Sequence, residues 1–194
     1  MRSSRGYCLI ELAAAAALAT IVAGAAVPQL LTSIDDARAL GAARYLSSRL
    51  AEARMEALTR TANVAIRFVQ NGSAFEYTIY QDGNGNGVLS RDIQNGVDKP
   101  IHAVERLPER FSGVEFGALP GTPAADSGGT APGGDPIKVG SSNMVSFSAL
   151  GTSSTGTLYI LGKGSAQYAL VVFGTTAKTR ILKYDARNRL WRAL

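Results

Sequence analysis

The sequence is poor in the residues that build metal centres and covalent staples. It has one cysteine, Cys8, and one histidine, His102. A lone cysteine closes no internal disulfide and forms no thiolate cluster. A lone histidine excludes a histidine-rich metal site. Aromatic residues are few, while alanine and glycine are abundant. Serine, aspartate and glutamate are scattered without the spacing of a catalytic set. The expectation is a protein that is not an enzyme and carries no cofactor. Charge of either sign is modest, and the net charge of +5 does not by itself call for nucleic acid. The 194 residues allow one domain plus an appendage.

Charge is missing altogether from Leu12 to Ile34. Residues 12–31 are mostly apolar, and as a helix they span ~30 Å, the thickness of a bilayer core. Arg2 and Arg5 precede the run. Three kinds of segment share this outline. A secretory signal peptide has a small-residue cleavage site after the apolar stretch, and Ala23-Gly24-Ala25-Ala26 offers one. A plain anchor stays in the membrane. A third kind is cleaved before the apolar run and keeps it. Glu11 at the head of the run favours the third. A carboxylate at membrane depth costs a few kcal/mol and is functional by default.

The residues Arg5-Gly6-Tyr7-Cys8-Leu9-Ile10-Glu11-Leu12 resemble the type IV prepilin motif. Cys8 departs from the usual small hydroxyl residue. The resemblance implies peptidase cleavage between Gly6 and Tyr7, N-methylation of Tyr7, and an assembly role for Glu11, fifth in the mature chain. Pro28 falls where pilins carry their helix-kinking proline. Gly6 offers a protease an unobstructed extended backbone. Arg2 and Arg5 hold the N-terminus in the cytoplasm. The expected localisation is the bacterial inner membrane, single-pass, with the C-terminal domain periplasmic.

From Thr32 to Thr59, apolar residues recur at helical steps: Ile34, Ala37, Leu40, Ala43, Leu46, Leu50, Ala53 and Ala57. The opposite side carries Asp35, Asp36, Arg38, Arg44, Arg49 and Glu52. The spacing predicts an amphipathic helix over 32–61, continuous with the apolar helix of 7–31 and bent at Pro28, or broken there into two. After residue 61 the period becomes alternating. Val64, Ile66 and Phe68, then Phe75, Tyr77 and Ile79, flank a turn at Gln70-Asn71-Gly72-Ser73. Further strands are expected at 99–106, 111–116, 143–149, 156–162, 166–174, 178–185 and 188–192. His102 falls within the first of these. Residues 117–136, rich in glycine and proline, read as a mobile surface loop. The fold class is α+β: a long N-terminal helix packed on an antiparallel β-sandwich. Residues 1–6 are the leader and 62–194 the β domain.

Ala51-Glu52-Ala53-Arg54-Met55-Glu56-Ala57 and the later Asp82-Gly83-Asn84-Gly85-Asn86-Gly87 make the chain similar to the GspH/FimT-like pseudopilins. That resemblance implies a minor pseudopilin or pilin of a type II secretion or type IV pilus machine. Its partners would be other pilins or pseudopilins, the prepilin peptidase and the inner-membrane assembly platform.

Two further stretches invite chemistry. Asp82, Asn84 and Asn86 match the first half of a calcium loop, with Asp92 one residue short of the twelfth position, where Ile93 stands. Weak calcium binding competes with a plain glycine-asparagine turn. Near the C-terminus, Lys178, Arg180, Lys183, Arg187 and Arg189 outnumber acids. They make DNA binding for uptake the alternative function, as in FimT-like proteins that resemble this segment. The competing reading is a strand edge protected by charge.

Overall fold

A computed structural model describes residues 8–194, so Gly6 and Tyr7 lie outside the described residues. The chain divides into two units, the first ending at Ile34 and the second spanning Asp35–Leu194. One helix, α1 (Leu9–Arg60), runs through both, with Pro28 inside it. The break into two helices considered from the sequence does not occur. Alanine, the best helix former, dominates its first half. Pro28 has no N–H to give the carbonyl one turn back, which is where a bend is expected.

The helix ends in a complete Schellman motif. Ala62 N–H donates to the Ala57 carbonyl and Thr61 N–H to that of Leu58. Thr61 takes the left-handed conformation, φ 50°, that glycine usually supplies at this position.

In the second unit, β1 (Val64–Asn71) and β2 (Ala74–Gln81) form the expected hairpin, with Asn71 paired to Ala74 across Gly72-Ser73. A short helix α2 (Ser90–Gln94) follows, then β3 (Lys99–Pro100), β4 (Glu105–Arg106), α3 (Leu107–Arg110) and β5 (Glu115–Phe116). The chain finishes with β6 (Ile137–Lys138), β7 (Met144–Phe147), β8 (Gly156–Leu161), β9 (Gln167–Phe173), β10 (Lys178–Asp185) and β11 (Leu190–Ala193). The first sheet is ordered β3-β2-β1-β7, with β4 also on β2; the second is β11-β10-β9-β8-β5, with β6 also on β8. All pairings are antiparallel.

The strands expected at 99–106 and 111–116 shrink to two-residue pieces. Pro100 lacks a ladder N–H, and Pro108 sits in the first turn of α3 instead. His102 is not a strand residue; it sits in the bend between β3 and β4, 3.4 Å from Glu52.

The inner faces of both sheets and the helix share one core. Ala39, Ala42, Ala43, Leu46, Leu50, Ala53 and Ala57 are buried against Val64, Ile66, Phe68 and Phe147 of the first sheet and Leu158, Ile160, Leu170 and Val172 of the second. Each fully buried Leu contributes about 1.5–3 kcal/mol over an exposed one. Small alanines on the helix let its backbone approach the strands.

The helical face differs from the expected one at its start. Ile34 and Ala37 are exposed, and Ala39 and Ala42 are buried instead. The cause is polar. Asp35 and Asp36, expected on the solvent side, turn toward the second sheet. Asp35 accepts the N–H groups of Lys163 and Gly164, both at 2.8 Å. Asp36 accepts the Tyr168 hydroxyl at 2.9 Å and the Lys183 ammonium at 2.8 Å.

Residues 117–136 carry no strand, as expected, and hydrogen-bond to the second sheet. Leu119 N–H donates to Gln167 Oε1, Ala125 N–H to the Tyr159 hydroxyl, and Trp191 Nε1–H to the Pro123 carbonyl, each at 3.0 Å. The segment lies over an apolar patch on the outer face of the second sheet, Tyr159, Ala169, Val171 and Leu182. Burying that patch offsets the ordering of a glycine-rich chain.

Candidate functional site

The first candidate is the N-terminal half of α1. It is long and apolar enough to cross a membrane, and its apolar window has nothing buried within the chain. Leu9, Leu12, Leu18, Ile21 and Val22 are each more than 60% exposed. A row this long and unpartnered requires lipid or neighbouring helices. Glu11 stands in the first turn, and its Oε2 accepts the Cys8 N–H at 3.0 Å. It therefore caps the start of the helix in the isolated chain. The pair Gly6 and Tyr7, where cleavage is expected from the sequence, lies outside the described residues.

The second candidate is the loop from Asp82 to Asp98. The sequence-predicted residues do meet. Asp92 Oδ2 accepts from the Asn84 side chain at 3.3 Å and from the Asn86 side chain at 3.0 Å. Asp82 accepts backbone N–H groups of Asn84, Gly85 and Gly87 and the Asn63 amide. Asp98, missed from the sequence, is 1% exposed and accepts Gly83 N–H at 3.0 Å and Leu89 N–H at 2.9 Å. At Gly83 any side chain would collide with the Val97 carbonyl, 2.1 Å from where a Cβ would sit.

Burial works to raise the Asp82 pKa. The Asn63 amide and the three N–H donors outweigh it, so the carboxyl lies below its usual range. Asp92 is held low mainly by the Asn86 amide. The carboxylate oxygens a cation would need are thus already engaged by N–H donors. Among the described residues no three His, Cys, Asp or Glu side chains gather into a metal site. As arranged, these residues form a hydrogen-bonded turn.

The third candidate is the basic C-terminal region, which the structure splits. Lys178 and Arg180 are exposed on β10, with the Arg180 guanidinium 5.3 Å over the Phe173 ring. Lys183 points to the opposite face and pairs with Asp36. Arg187 and Arg189 lie in the β10–β11 turn. That turn is organised by Asp185, which accepts the N–H of Arg187 and Asn188 and the Asn188 amide. Arg189 donates to the Gly121 carbonyl at 3.3 Å. These five side chains share no single surface of the kind a phosphate backbone tracks.

One cluster escaped the sequence reading altogether. Glu105 accepts hydrogen bonds from the hydroxyls of Tyr45 and Tyr77 and pairs with Arg49 and Arg110. The Arg49 and Glu105 side chains are 13% and 14% exposed. Burial, and then Glu105, push the Tyr77 hydroxyl far above its ordinary pKa. Arg49 comes from the polar side of the helical pattern, so periodicity assigned it to solvent. Its partner is 56 residues away, at the end of the segment 99–106 that was expected to be one strand. The cluster fastens α1 to β2 and β4 and leaves no free reactive group.

A solved structure with a related outline is that of the minor pseudopilin EpsH from the Type 2 Secretion System of Vibrio cholerae. It shares 16% identity and a TM-score of 0.46, covering 75% of this chain and 97% of that one. No curated protein sequence is significantly similar. The family of type II transport protein GspH matches residues 42–176, which run from the packed half of α1 through both sheets to the β9–β10 turn. With most of its length matched, the chain belongs to the GspH family of type II transport proteins.

Proposed function

We propose that the chain is a minor pseudopilin subunit of a type II secretion machine, inserted through the N-terminal half of α1. The observation that carries this reading is the wholly exposed apolar helix in a chain whose β domain belongs to the GspH family. Exposed alanines along Ala13–Ala17 let neighbouring helices approach closely in the membrane. Glu11 pairs with the freed N-terminal amine of an adjacent subunit after cleavage between Gly6 and Tyr7. In low dielectric an unpaired carboxylate is costly, so the pair rewards one register. The β domain faces the periplasm, and the role is structural, not catalytic. Other pseudopilins, the prepilin peptidase and the inner-membrane assembly platform are its partners.

In-cell cross-linking tests this. With Cys8→Ser as background, a cysteine at Leu18 is expected to cross-link to another pseudopilin in cells that assemble the fibre. Glu11→Ala is expected to abolish the product while the chain stays in the membrane. Unchanged cross-linking by Glu11→Ala contradicts the assembly role of the carboxylate.

A further inference from the structure

Near the C-terminal end of α1, Ala51, Arg54, Met55 and Leu58 are neighbours at helical steps of three and four. Met55 is 59% exposed and Leu58 39%. A Cβ on Gly151 would lie 3.9 Å from Leu58 Cδ2, so the turn at 148–152 sits against this side of the helix. At its tip Leu150 is 92% exposed. The turn is closed on both sides of that leucine. Ser148 N–H donates to the Thr152 carbonyl at 2.9 Å, and Gly151 N–H to the Ser148 carbonyl at 3.0 Å. The Ser148 hydroxyl oxygen accepts the Leu150 N–H at 3.2 Å. A single surface leucine needs no explanation. Leu150 beside Leu58 and Met55 makes an apolar patch, and such patches mark contact sites.

Arg54 borders this patch. Its Nε is buried without a hydrogen-bond partner. Among the described residues Arg54 belongs to no salt bridge. Three and four positions away along the helix stand Leu50, Ala51, Ala57 and Leu58, none of which offers a carboxylate. A buried donor on a charged group is costly to leave unpaired.

From these placements we infer that the surface of Arg54, Met55, Leu58 and Leu150 docks a neighbouring pseudopilin subunit, through a segment that sets a carboxylate beside aliphatic side chains. The carboxylate pairs with Arg54, and Leu150 is the anchor that enters the aliphatic part. The turn already holds that leucine outward, so little ordering is left to the docking step. Charge complementarity decides the occupant. A second copy meeting through the same face would set Arg54 against Arg54, with no acid on the face to separate them. That the neighbour is a subunit rests on the secretion reading; the chemistry of the surface does not.

Photo-cross-linking in cells that assemble the fibre tests this, with Cys8→Ser as background. Thr59→Cys, exposed one turn past Met55, carries a maleimide-benzophenone. It is expected to cross-link to another pseudopilin. Leu150→Asp and Arg54→Glu are each expected to lower that product about tenfold or more. The Leu150→Asp chain, changed at a solvent-facing position, is expected to melt as the parent does. Mass spectrometry of the product locates the partner's carboxylate. Reversing that carboxylate to a lysine is expected to restore the product of the Arg54→Glu chain, which a folding defect would not allow. Undiminished product from the Leu150→Asp chain overturns the inference. So does a product with a second copy alone, or a charge reversal that restores nothing. If a cysteine at Leu18 still cross-links while Thr59→Cys gives no product, this surface is refuted and membrane assembly through α1 stands. Loss of both products refutes both.

Discussion

Glu105→Ala should be among the most damaging single changes outside the apolar core. The carboxylate serves two tyrosine hydroxyls and two guanidinium groups. Tyr77 is only 2% exposed, so its hydroxyl has no water to turn to. Two orphaned hydroxyls cost about 1 kcal/mol each. Arg49 loses its better-buried partner but keeps Glu52. Arg110, at 57% side-chain exposure, loses little. The broken pair therefore adds about 1–2 kcal/mol, below the cost of a fully buried one. The total is about 3 kcal/mol, or a melting temperature lower by about 6–12 °C for a domain of this size. Glu105→Gln keeps an acceptor and should lose about half as much. Thermal unfolding followed by circular dichroism at neutral pH measures both. A Glu105→Ala chain melting within about 2 °C of the parent refutes the claim that this cluster holds α1 on the sheet.

Asp98→Ala leaves the Gly83 and Leu89 N–H groups without acceptors and should cost about 2–4 kcal/mol, with faster hydrogen exchange at both amides. Added calcium should leave the parent's melting temperature unchanged, as a hydrogen-bonded turn requires. Asp35→Ala frees the Lys163 and Gly164 amides at a more exposed site and should cost about 1 kcal/mol by urea denaturation. Burial raises the pKa of Tyr77 and Tyr168 above the ordinary 10.0, so the unfolded chain loses those protons first. Stability should therefore hold up to about pH 10 and fall beyond it. Asp82, Asp92 and Asp185 are held below 3.8, so their contribution should be intact above about pH 4 and lost as pH falls further.

Local signals made much of this fold legible. The change of period near Thr61 marks the end of α1, and Asn71-Gly72 marks the first hairpin. Long strands such as 167–173 carry enough alternation or apolar run to be read. A two-residue strand such as Ile137–Lys138 carries no periodicity and was not expected; it forms where β8 offers it a partner. Polar tertiary anchors were invisible for a related reason. Asp35, Asp36 and Arg49 look like solvent-facing charges until the residues opposite them are known. Composition says nothing of the contacts made by 117–136. Glycine and proline mark it as strand-free, while its hydrogen-bond partners, Gln167, Tyr159 and Trp191, come from later strands. For the candidate sites, spacing brought Asp82, Asn84, Asn86 and Asp92 together correctly. It could not foresee that N–H donors would engage their oxygens. For the basic strand, charge count ran ahead of geometry, since alternate residues face opposite ways and Lys183 pairs inward with Asp36.

The central claim is that α1 is kept after cleavage and used for assembly. Intact mass of the chain, purified from cells that also express a prepilin peptidase, tests it most directly. The account predicts a chain that begins at Tyr7 and carries one added methyl group. A chain that still begins at Met1, or one cut near Ala26, would contradict it.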